Sequence, residues 1–211
     1  MMRALKASLA LFLLLSGYAD AGTVEAAVLS PEGRPVEDAA VVVEPLSKVN
    51  RRKNGITTIE QRSREFIPYV TIVQTGTAID FPNHDPIKHH IYSFSAAKPF
   101  EIKLYAGKPV QPVVFDKPGE VVLGCNIHDW MEAYVLVVDS PYFAKTARDG
   151  RAVIPNVPAG RYRLQLWHPR QNARQPLRDI RVGAGAMKLN LVLDVKPRDI
   201  KPKPEIETDH Y

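Results

Sequence analysis

Hydrophobic residues in this chain occur in short runs that alternate with polar residues and are broken by glycine and proline. The alternation is clearest at residues 23–29 and 162–167, where apolar side chains recur at every second position. Successive side chains of a β-strand point to opposite faces, so a period of two predicts strands with one buried face. The 18 prolines and 12 glycines scattered between the runs argue against long helices.

The spacing of these runs predicts an all-β fold, in which many short strands build a sandwich or barrel. Residues 23–29 and 39–44 flank a turn-forming segment at 31–35, and we expect them to form a hairpin. Further strands are predicted at residues 56–61, 69–73, 78–81, 91–94, 100–104, 113–115, 119–123, 133–138, 162–167, 178–182 and 188–195.

The amino terminus has the pattern of a cleavable export signal. Two basic residues precede an apolar run at 7–15, and the small residues Ala19 and Ala21 mark a cleavage site after Ala21. The apolar run is too short to span a bilayer. We therefore predict a signal peptide at residues 1–21, a periplasmic protein, and no membrane insertion after cleavage.

The composition of the 211-residue chain is that of a folded protein, with 45% hydrophobic and 24% charged residues. Its formal net charge of +5 is spread along the sequence, so we expect no nucleic-acid partner. Residues 196–211, charged and interrupted by proline, are predicted to form a disordered tail. The single cysteine, Cys125, excludes an internal disulfide framework. Outside the cytoplasm an unpaired thiol is vulnerable to oxidation unless it is buried or bound.

This cysteine begins the segment with the most specific chemistry in the sequence. Cys125, His128 and Met131 follow one another at a spacing of three between two predicted strands, so one loop can turn all three towards a point. Soft sulfur ligands with imidazole select copper, and two histidines, one cysteine and a weak axial methionine form the blue-copper set. The second histidine must come from elsewhere, and the stretch 81–92 contains His84, His89 and His90.

Residues 55–140 resemble the cupredoxins, and within them the plastocyanin and amicyanin branch, where the ligands have this Cys-x2-His-x2-Met spacing. The run from Phe66 to Asn83 is similar to the cupredoxin segment leading to the first ligand histidine, which lies six residues after this asparagine. The segments 115–123 and 135–137 are similar to the strands that enter and leave the cysteine loop. The resemblance implies a Greek-key sandwich or barrel that binds one type 1 copper through His89, Cys125, His128 and Met131.

Other interpretations of these residues remain open. His84 or His90 could replace His89 as a ligand, and His168 is a further histidine outside the motif. If residue 90 already belongs to a strand, its side chain points to the face opposite that of residue 89. Cys125 and Met131 could also be ordinary core residues.

The chain departs from the family pattern around the ligands. His90 stands where an asparagine usually ties the two ligand loops together, which puts that tie in doubt. Gly124 replaces an aromatic residue and leaves room for close backbone approach. Ile127 replaces a proline and keeps an N–H that could donate to the thiolate, which would favour Cu(I). Trp130, between two ligands, either shields the copper or is an exposed docking residue.

A second module is indicated at the two ends of the chain. Residues 22–46 and 144–195 together resemble a carboxypeptidase regulatory-like (transthyretin-like) β-sandwich, through Gly33-Arg34-Pro35 and through Asp149-Gly150 followed by Tyr162. The resemblance implies that the copper domain is inserted between the two halves of this sandwich. Such a sandwich hosts many functions and contains no catalytic constellation here.

The cupredoxin resemblance implies a one-electron carrier that cycles between Cu(I) and Cu(II). It would not be an enzyme, because four protein ligands leave no open position for substrate. Its partners would be a redox donor and a redox acceptor that dock transiently where the edge of His128 faces solvent. The alternatives are a copper chaperone or storage protein and a non-redox extracellular binding module. Some proteins of this two-module kind are called methylamine-utilisation proteins, but no residue here indicates amine oxidation.

Overall fold

A computed structural model describes residues 21–47, 55–109 and 111–198, and its regular secondary structure there is β-strand. The predicted all-β class is confirmed. Across these ranges no helix could cross a membrane. The strands are β1 (Ala21–Leu29), β2 (Ala40–Pro45), β3 (Ile56–Thr58), β4 (Glu60–Arg62), β5 (Glu65–Ile67), β6 (Val70–Gln74), β7 (Thr77–Asp80), β8 (His89–Ser93), β9 (Phe100–Tyr105), β10 (Val113–Phe115), β11 (Gly119–Gly124), β12 (Glu132–Val138), β13 (Phe143–Lys145), β14 (Arg151–Pro158), β15 (Gly160–Trp167), β16 (Arg178–Val182) and β17 (Gly185–Val192).

Two predictions concern the ends of the chain. Residues 1–20 and 199–211 lie outside the described ranges, so the signal peptide and most of the predicted disordered tail stay predictions. Ala21, the last residue of the predicted signal peptide, is the first residue of β1.

Strands from both ends of the chain build one sandwich, which we call the terminal sandwich (β1, β2 and β13–β17). One sheet has the order β14-β1-β17 and the other β13-β2-β15-β16. The predicted alternation places Val24, Ala26 and Val28 of β1 on the buried face. They share one core with Val41 and Val43 of β2 and with residues of β14, β15 and β17.

The predicted hairpin between residues 23–29 and 39–44 is wrong, although both strands exist. β1 pairs with β14 and β17, whereas β2 pairs with β13 and β15, so the two strands lie in opposite sheets. The chain crosses between the sheets after an isolated bridge from Leu29 to Pro35, with Asp38 at a positive φ of 62°. Alternation specifies which face of a strand is buried, but not which strand is its neighbour.

The middle of the chain builds a second set of sheets, which we call the central sandwich (β3–β12). A five-stranded sheet of order β6-β12-β11-β8-β9 packs on a three-stranded sheet of order β10-β7-β3, and β4 and β5 form a separate hairpin. Their shared core is more aromatic than the terminal one and contains Phe66, Phe81 and Phe115. Cys125 and Met131 belong to this core.

A third cluster joins the two sandwiches. β2 uses Val41 and Val43 for the terminal core and the opposite residues, Ala40 and Val42, for this cluster. Trp167 of β15 lies in it, against residues of the central sandwich: Tyr69, Val70, Leu136 and Val138. A strand buried on both faces reads as a continuous apolar run, as in residues 40–43 of β2. The domain boundaries at 22–46, 55–140 and 144–195, and the transthyretin-like assignment, stay predictions.

Candidate metal centre

The candidate ligands lie at the ends of two neighbouring strands of the five-stranded sheet and in the loop that follows one of them. His89 is the first residue of β8, and Cys125 directly follows β11. β8 and β11 pair where Gly124 lies opposite Tyr92. The loop from β11 to β12 is tight, because the N–H of Met131 donates to the carbonyl of His128 at 2.9 Å. The sheet therefore brings a histidine from one strand end beside the Cys-x2-His-x2-Met loop.

Three potential metal donors converge in the interior. Nδ1 of His89 lies 3.1 Å from Nδ1 of His128, which in turn lies 3.7 Å from Sγ of Cys125. The donor atoms of the three residues all lie within 4.8 Å of one another. His89 is fully buried, and His128 and Cys125 are 2% and 4% exposed.

These separations fit one transition-metal ion. Typical metal bonds of this kind are about 2.0–2.1 Å to imidazole nitrogen and about 2.3 Å to thiolate sulfur. Two such bonds meeting at one ion span up to about 4.1 Å between nitrogens and about 4.4 Å from nitrogen to sulfur. The observed 3.1 and 3.7 Å are within those limits. A His–Cys–His metal site is therefore geometrically possible.

Met131, the fourth candidate ligand, is 2% exposed and belongs to the central core with Cys125. Its backbone is close to the thiol residue, since its carbonyl accepts a hydrogen bond from the N–H of Cys125 at 3.3 Å. Cys125 and Met131 also line a surface cleft of about 530 Å³ whose other walls include Tyr92 and Phe94. Coordination by the Met131 thioether stays a prediction.

Asp85 orients His89, although the sequence motif did not point to this residue. Oδ2 of Asp85 lies 2.7 Å from Nε2 of His89, which leaves Nδ1 of the same ring for a metal. Burial raises the pKa of the Asp85 carboxyl, but hydrogen bonds from the N–H of Arg64, from His89 and from the N–H of Ser63 outweigh burial and hold it below its usual value. An ionised carboxylate is thus the acceptor, and Nε2–H of His89 is the donor.

Asn83 shapes the loop between Asp85 and β8. Its side-chain amide donates to the carbonyls of Ile87 and Tyr105, at 2.8 and 3.0 Å, and its oxygen accepts from the N–H of Asp85 at 2.9 Å. Asn83 is 5% exposed, so these bonds satisfy a buried amide. The residue is near the site and acts by fixing the backbone that carries Asp85.

The structure places the two alternative ligands of this stretch elsewhere. The side chain of His84 is 42% exposed, and its Nε2 lies 3.3 Å from Oε2 of Glu60. His90 is buried, with Nε2 at 2.9 Å from Oε1 of Glu101. The pairing register shifts between His89 and Ile91, so His90 sits at an irregularity of the sheet. Of the histidines at 84, 89 and 90, His89 is the one that joins Cys125 and His128.

His168 is a buried structural histidine of the terminal sandwich. It is 1% exposed, and its Nδ1 accepts the N–H of Arg170 at 3.1 Å. Burial, together with the positive charge of Arg170, lowers its pKa from 6.5 to about 4.

The low pKa of His168 predicts an acid-sensitive contribution to stability. In the unfolded chain the imidazole protonates near pH 6.5 and in the folded chain near pH 4, so its contribution is complete above pH 6.5 and is lost as the pH falls to 4. At about 1.4 kcal/mol per pKa unit, this loss approaches roughly 3 kcal/mol. We expect His168→Gln to flatten the decline in unfolding free energy between pH 6.5 and 4, measured by urea denaturation. The exposed His84→Gln is the control, and parallel declines in His168→Gln and the parent chain would contradict the prediction.

The expectation that an edge of His128 faces solvent is wrong. His128 is 2% exposed, and Trp130 packs on it with ring centroids 5.1 Å apart. Nε1–H of Trp130 donates to the carbonyl of Arg64 at 3.1 Å, which holds the indole in this position. Trp130 therefore covers His128 while staying partly exposed, and its shielding of a bound copper ion stays a prediction. The Cys-x2-His-x2-Met spacing could not indicate that Trp130 covers His128, because the carbonyl of Arg64 that holds the indole lies 66 residues away in the sequence.

The two remaining departures from the family pattern lie on either side of Cys125. A Cβ at Gly124 would lie 2.8 Å from Cζ and Oη of Tyr92, so the tyrosine ring occupies the space that a side chain would need. The space beside Gly124 is thus filled by a side chain, not by the backbone that the glycine led us to expect. Ile127 is partly buried against the central core, and the proposed hydrogen bond from its N–H to the thiolate stays a prediction.

No protein-family model matches the sequence, and no curated protein matches it. Solved structures that resemble parts of the chain include cupredoxins. A purple cupredoxin from Nitrosopumilus maritimus is 20% identical over 38% of this chain and 98% of its own, with a TM-score of 0.35. Amicyanin from Paracoccus versutus is 11% identical over 48% of this chain and 99% of its own, with a TM-score of 0.34. A Cu-containing nitrite reductase from Thermus scotoductus is 22% identical over 54% of this chain and 28% of its own, with a TM-score of 0.37.

Proposed function

We propose that the chain is a blue-copper electron carrier that binds one type 1 copper ion through His89, Cys125, His128 and Met131. The observation that carries the proposal is the convergence of two imidazole Nδ1 atoms and one thiol in the buried interior. A thiolate with two imidazoles is a donor set that copper favours. When bound, copper would supply one-electron chemistry by alternating between Cu(I) and Cu(II).

The chain's own residues would hold the donors in one arrangement for both oxidation states. His89 is fixed by β8 and by Asp85, and the loop 125–131 is held by its own backbone hydrogen bonds. The low exposure of Cys125, which is 4%, would limit the access of water and oxidants to the thiolate from the cleft that it lines. Ligands on rigid elements need little movement when the charge of the ion changes, which suits electron transfer.

The burial of the donors favours a carrier over the alternatives. A copper chaperone or storage protein needs ligands that a partner can reach to deliver or receive the ion, whereas His89, Cys125 and His128 are at most 4% exposed. The proposed role is not enzymatic. We further propose a periplasmic location, a transient redox donor and acceptor as partners, and a copper domain at residues 55–140 inserted into the sandwich of residues 22–46 and 144–195.

Titration of the purified chain with Cu(II) tests this function. We expect one Cu(II) per chain, an intense visible band from thiolate-to-copper charge transfer, and reversible loss and recovery of the band on reduction and reoxidation. Zn(II), which also accepts cysteine and histidine ligands, is the competing metal and should abolish the band without unfolding the chain.

Three results would contradict the proposed function. Cu(II) binding without the band would place the ion away from Cys125. Tight Cu(I) binding without reversible cycling would instead indicate copper storage or delivery. Absence of copper binding would leave the binding-module interpretation.

A further inference from the structure

Two loops are held close together without the side-chain tie that an asparagine at position 90 would supply. The His89 loop (residues 81–88) leads into β8 at His89, and the His128 loop (residues 125–131) follows β11. His90 instead contacts Glu101, with Nε2 and Oε1 2.9 Å apart. Nevertheless Nδ1 of His89 and Nδ1 of His128 lie only 3.1 Å apart. The pairing of β8 with β11 brings the two strands together, and contacts outside the sheet can fix the loops further.

The turn of the β4–β5 hairpin contacts both loops. Ser63 and Arg64 form this two-residue turn, with φ angles of 55° and 58°, as tight hairpin turns require. Their two N–H groups converge on the carboxylate of Asp85: Ser63 donates to Oδ1 at 2.6 Å and Arg64 donates to Oδ2 at 2.8 Å. Successive backbone N–H groups of this kind make a concave binding site for an anion.

Asp85 passes this contact on to the first ligand. Its Oδ2 also accepts Nε2–H of His89 at 2.7 Å, and its side chain is only 10% exposed. The carboxylate thus joins the turn to the imidazole and aims Nδ1 at the site. Carboxylates that accept the second N–H of a metal-bound histidine fix its tautomer and ring orientation.

The carbonyl of the same turn holds the cover of the second ligand. Arg64 accepts Nε1–H of Trp130 at 3.1 Å, and the indole packs against His128 at 5.1 Å between ring centroids. One peptide segment therefore donates towards the His89 loop and accepts from the His128 loop.

The hairpin that carries the turn is itself well anchored. The N–H of Gln61 donates to the carbonyl of Pro82, and the N–H of His84 donates to the carbonyl of Gln61, both at 2.8 Å. Ile59, just before the hairpin, is fully buried, and Phe66 of β5 is 3% exposed. A turn held by backbone pairing and core packing can serve as a fixed support.

We propose that the Ser63–Arg64 turn is a clamp that holds the two histidine loops in register, acting on His89 through Asp85 and on His128 through Trp130. This inference rests on the proposed function for the identity of the metal, but the clamp itself is a property of the metal-free chain. Asp85 and Trp130 are positioning residues, since each acts on the site through a ligand.

Hydrogen exchange in the metal-free chain tests the clamp without copper. The two reporters are Nε2–H of His89 and Nε1–H of Trp130, observed by 15N NMR. If the turn couples them, Trp130→Phe speeds exchange at His89, and Asp85→Asn speeds exchange at Trp130. Glu60→Gln removes a carboxylate from the same hairpin that pairs with Arg62 and His84, and as the control it should leave both reporters unchanged.

A pair of turn variants separates backbone from side-chain effects. Arg64→Gly keeps the positive φ and both backbone contacts, whereas Arg64→Val opposes a φ of 58° because its side chain is β-branched. Both variants lose the arginine side chain, so the difference between them reports on the turn alone. We expect faster exchange at both reporters in Arg64→Val than in Arg64→Gly.

Copper affinity and reduction potential provide the second measurement. Asp85→Asn should lower Cu(II) affinity by about 10–100-fold, as is usual for such supporting carboxylates, and shift the potential. Asp85→Asn and Trp130→Phe combined should cost less than the sum of the single variants, because both act through one turn.

The outcomes separate the clamp from the proposed function. Coupled exchange supports the clamp even in a chain that binds no copper, a result that would overturn only the proposed function. Exchange effects confined to the loop that carries each substitution, or equal behaviour of Arg64→Gly and Arg64→Val, would overturn the clamp and leave the copper carrier standing.

Discussion

Replacing Cys125 by Ser is expected to abolish the thiolate-to-copper band and to lower Cu(II) affinity by more than about 100-fold. Removal of a residue that only supports a ligand costs about 10–100-fold, and Cys125 is proposed to bind the ion directly. Its Sγ lies 3.7 Å from Nδ1 of His128, and it is the chain's one cysteine, so no other thiol can replace it. The measurement is the Cu(II) titration followed by absorption and by competition with a chelator.

Two further variants make this result specific. Cys125→Ala removes the proposed ligand but keeps an apolar side chain in the central core. If both Cys125→Ser and Cys125→Ala lose the band, the buried hydroxyl of the serine is not the cause. Met131→Leu conserves core volume, which usually costs less than about 1.5 kcal/mol, and removes the proposed axial ligand. We expect Met131→Leu to keep the band with a changed reduction potential. A band that survives Cys125→Ser would exclude Cys125 as the ligand.

The sequence contained enough information to predict most of the strands and the residues of the candidate site, although β5, β13 and β14 were not among the predicted strands. Alternation at residues 162–167 and at 23–29 matches β15 and β1, because one face of each strand is buried against a core. The spacing of Cys125 and His128 matches a tight loop between two paired strands. These features depend on residues close together in the chain, where periodicity and spacing carry direct physical meaning.

What the sequence could not show depends on distant parts of the chain. The neighbours of β1 come from β14 and β17, more than 100 residues away, so the local turn at 31–35 suggested the wrong partner. The carbonyl that anchors Trp130 belongs to Arg64, and contacts through a backbone atom leave no mark in the identity of the residue. Asp85 lies four residues before His89, but an aspartate before a proline is equally typical of an ordinary turn.

Truncating Trp167 is expected to give the largest loss of stability, because this side chain lies in the cluster that joins the two sandwiches. Trp167 is 3% exposed and packs among residues of β2, β6 and β12. Replacing a buried tryptophan by alanine removes its apolar contacts and leaves a cavity, at a cost of about 3–5 kcal/mol. The unfolding free energy of Trp167→Ala, measured in urea, should fall by this amount.

The chain's two tryptophans make the same variant a test of how the sandwiches are coupled. In Trp167→Ala only Trp130 remains, so fluorescence reports unfolding around the candidate metal centre, while circular dichroism reports all strands. Trp167→Phe, which leaves the same single tryptophan but keeps most of the packing, is the matched control. We expect one shared transition in Trp167→Phe and two separate transitions in Trp167→Ala, because the alanine removes the main contact of β15 with the central sandwich. If Trp167→Ala instead unfolds in one transition with a loss below about 1 kcal/mol, well short of the usual large-to-small cost, the cluster does not couple the two sandwiches.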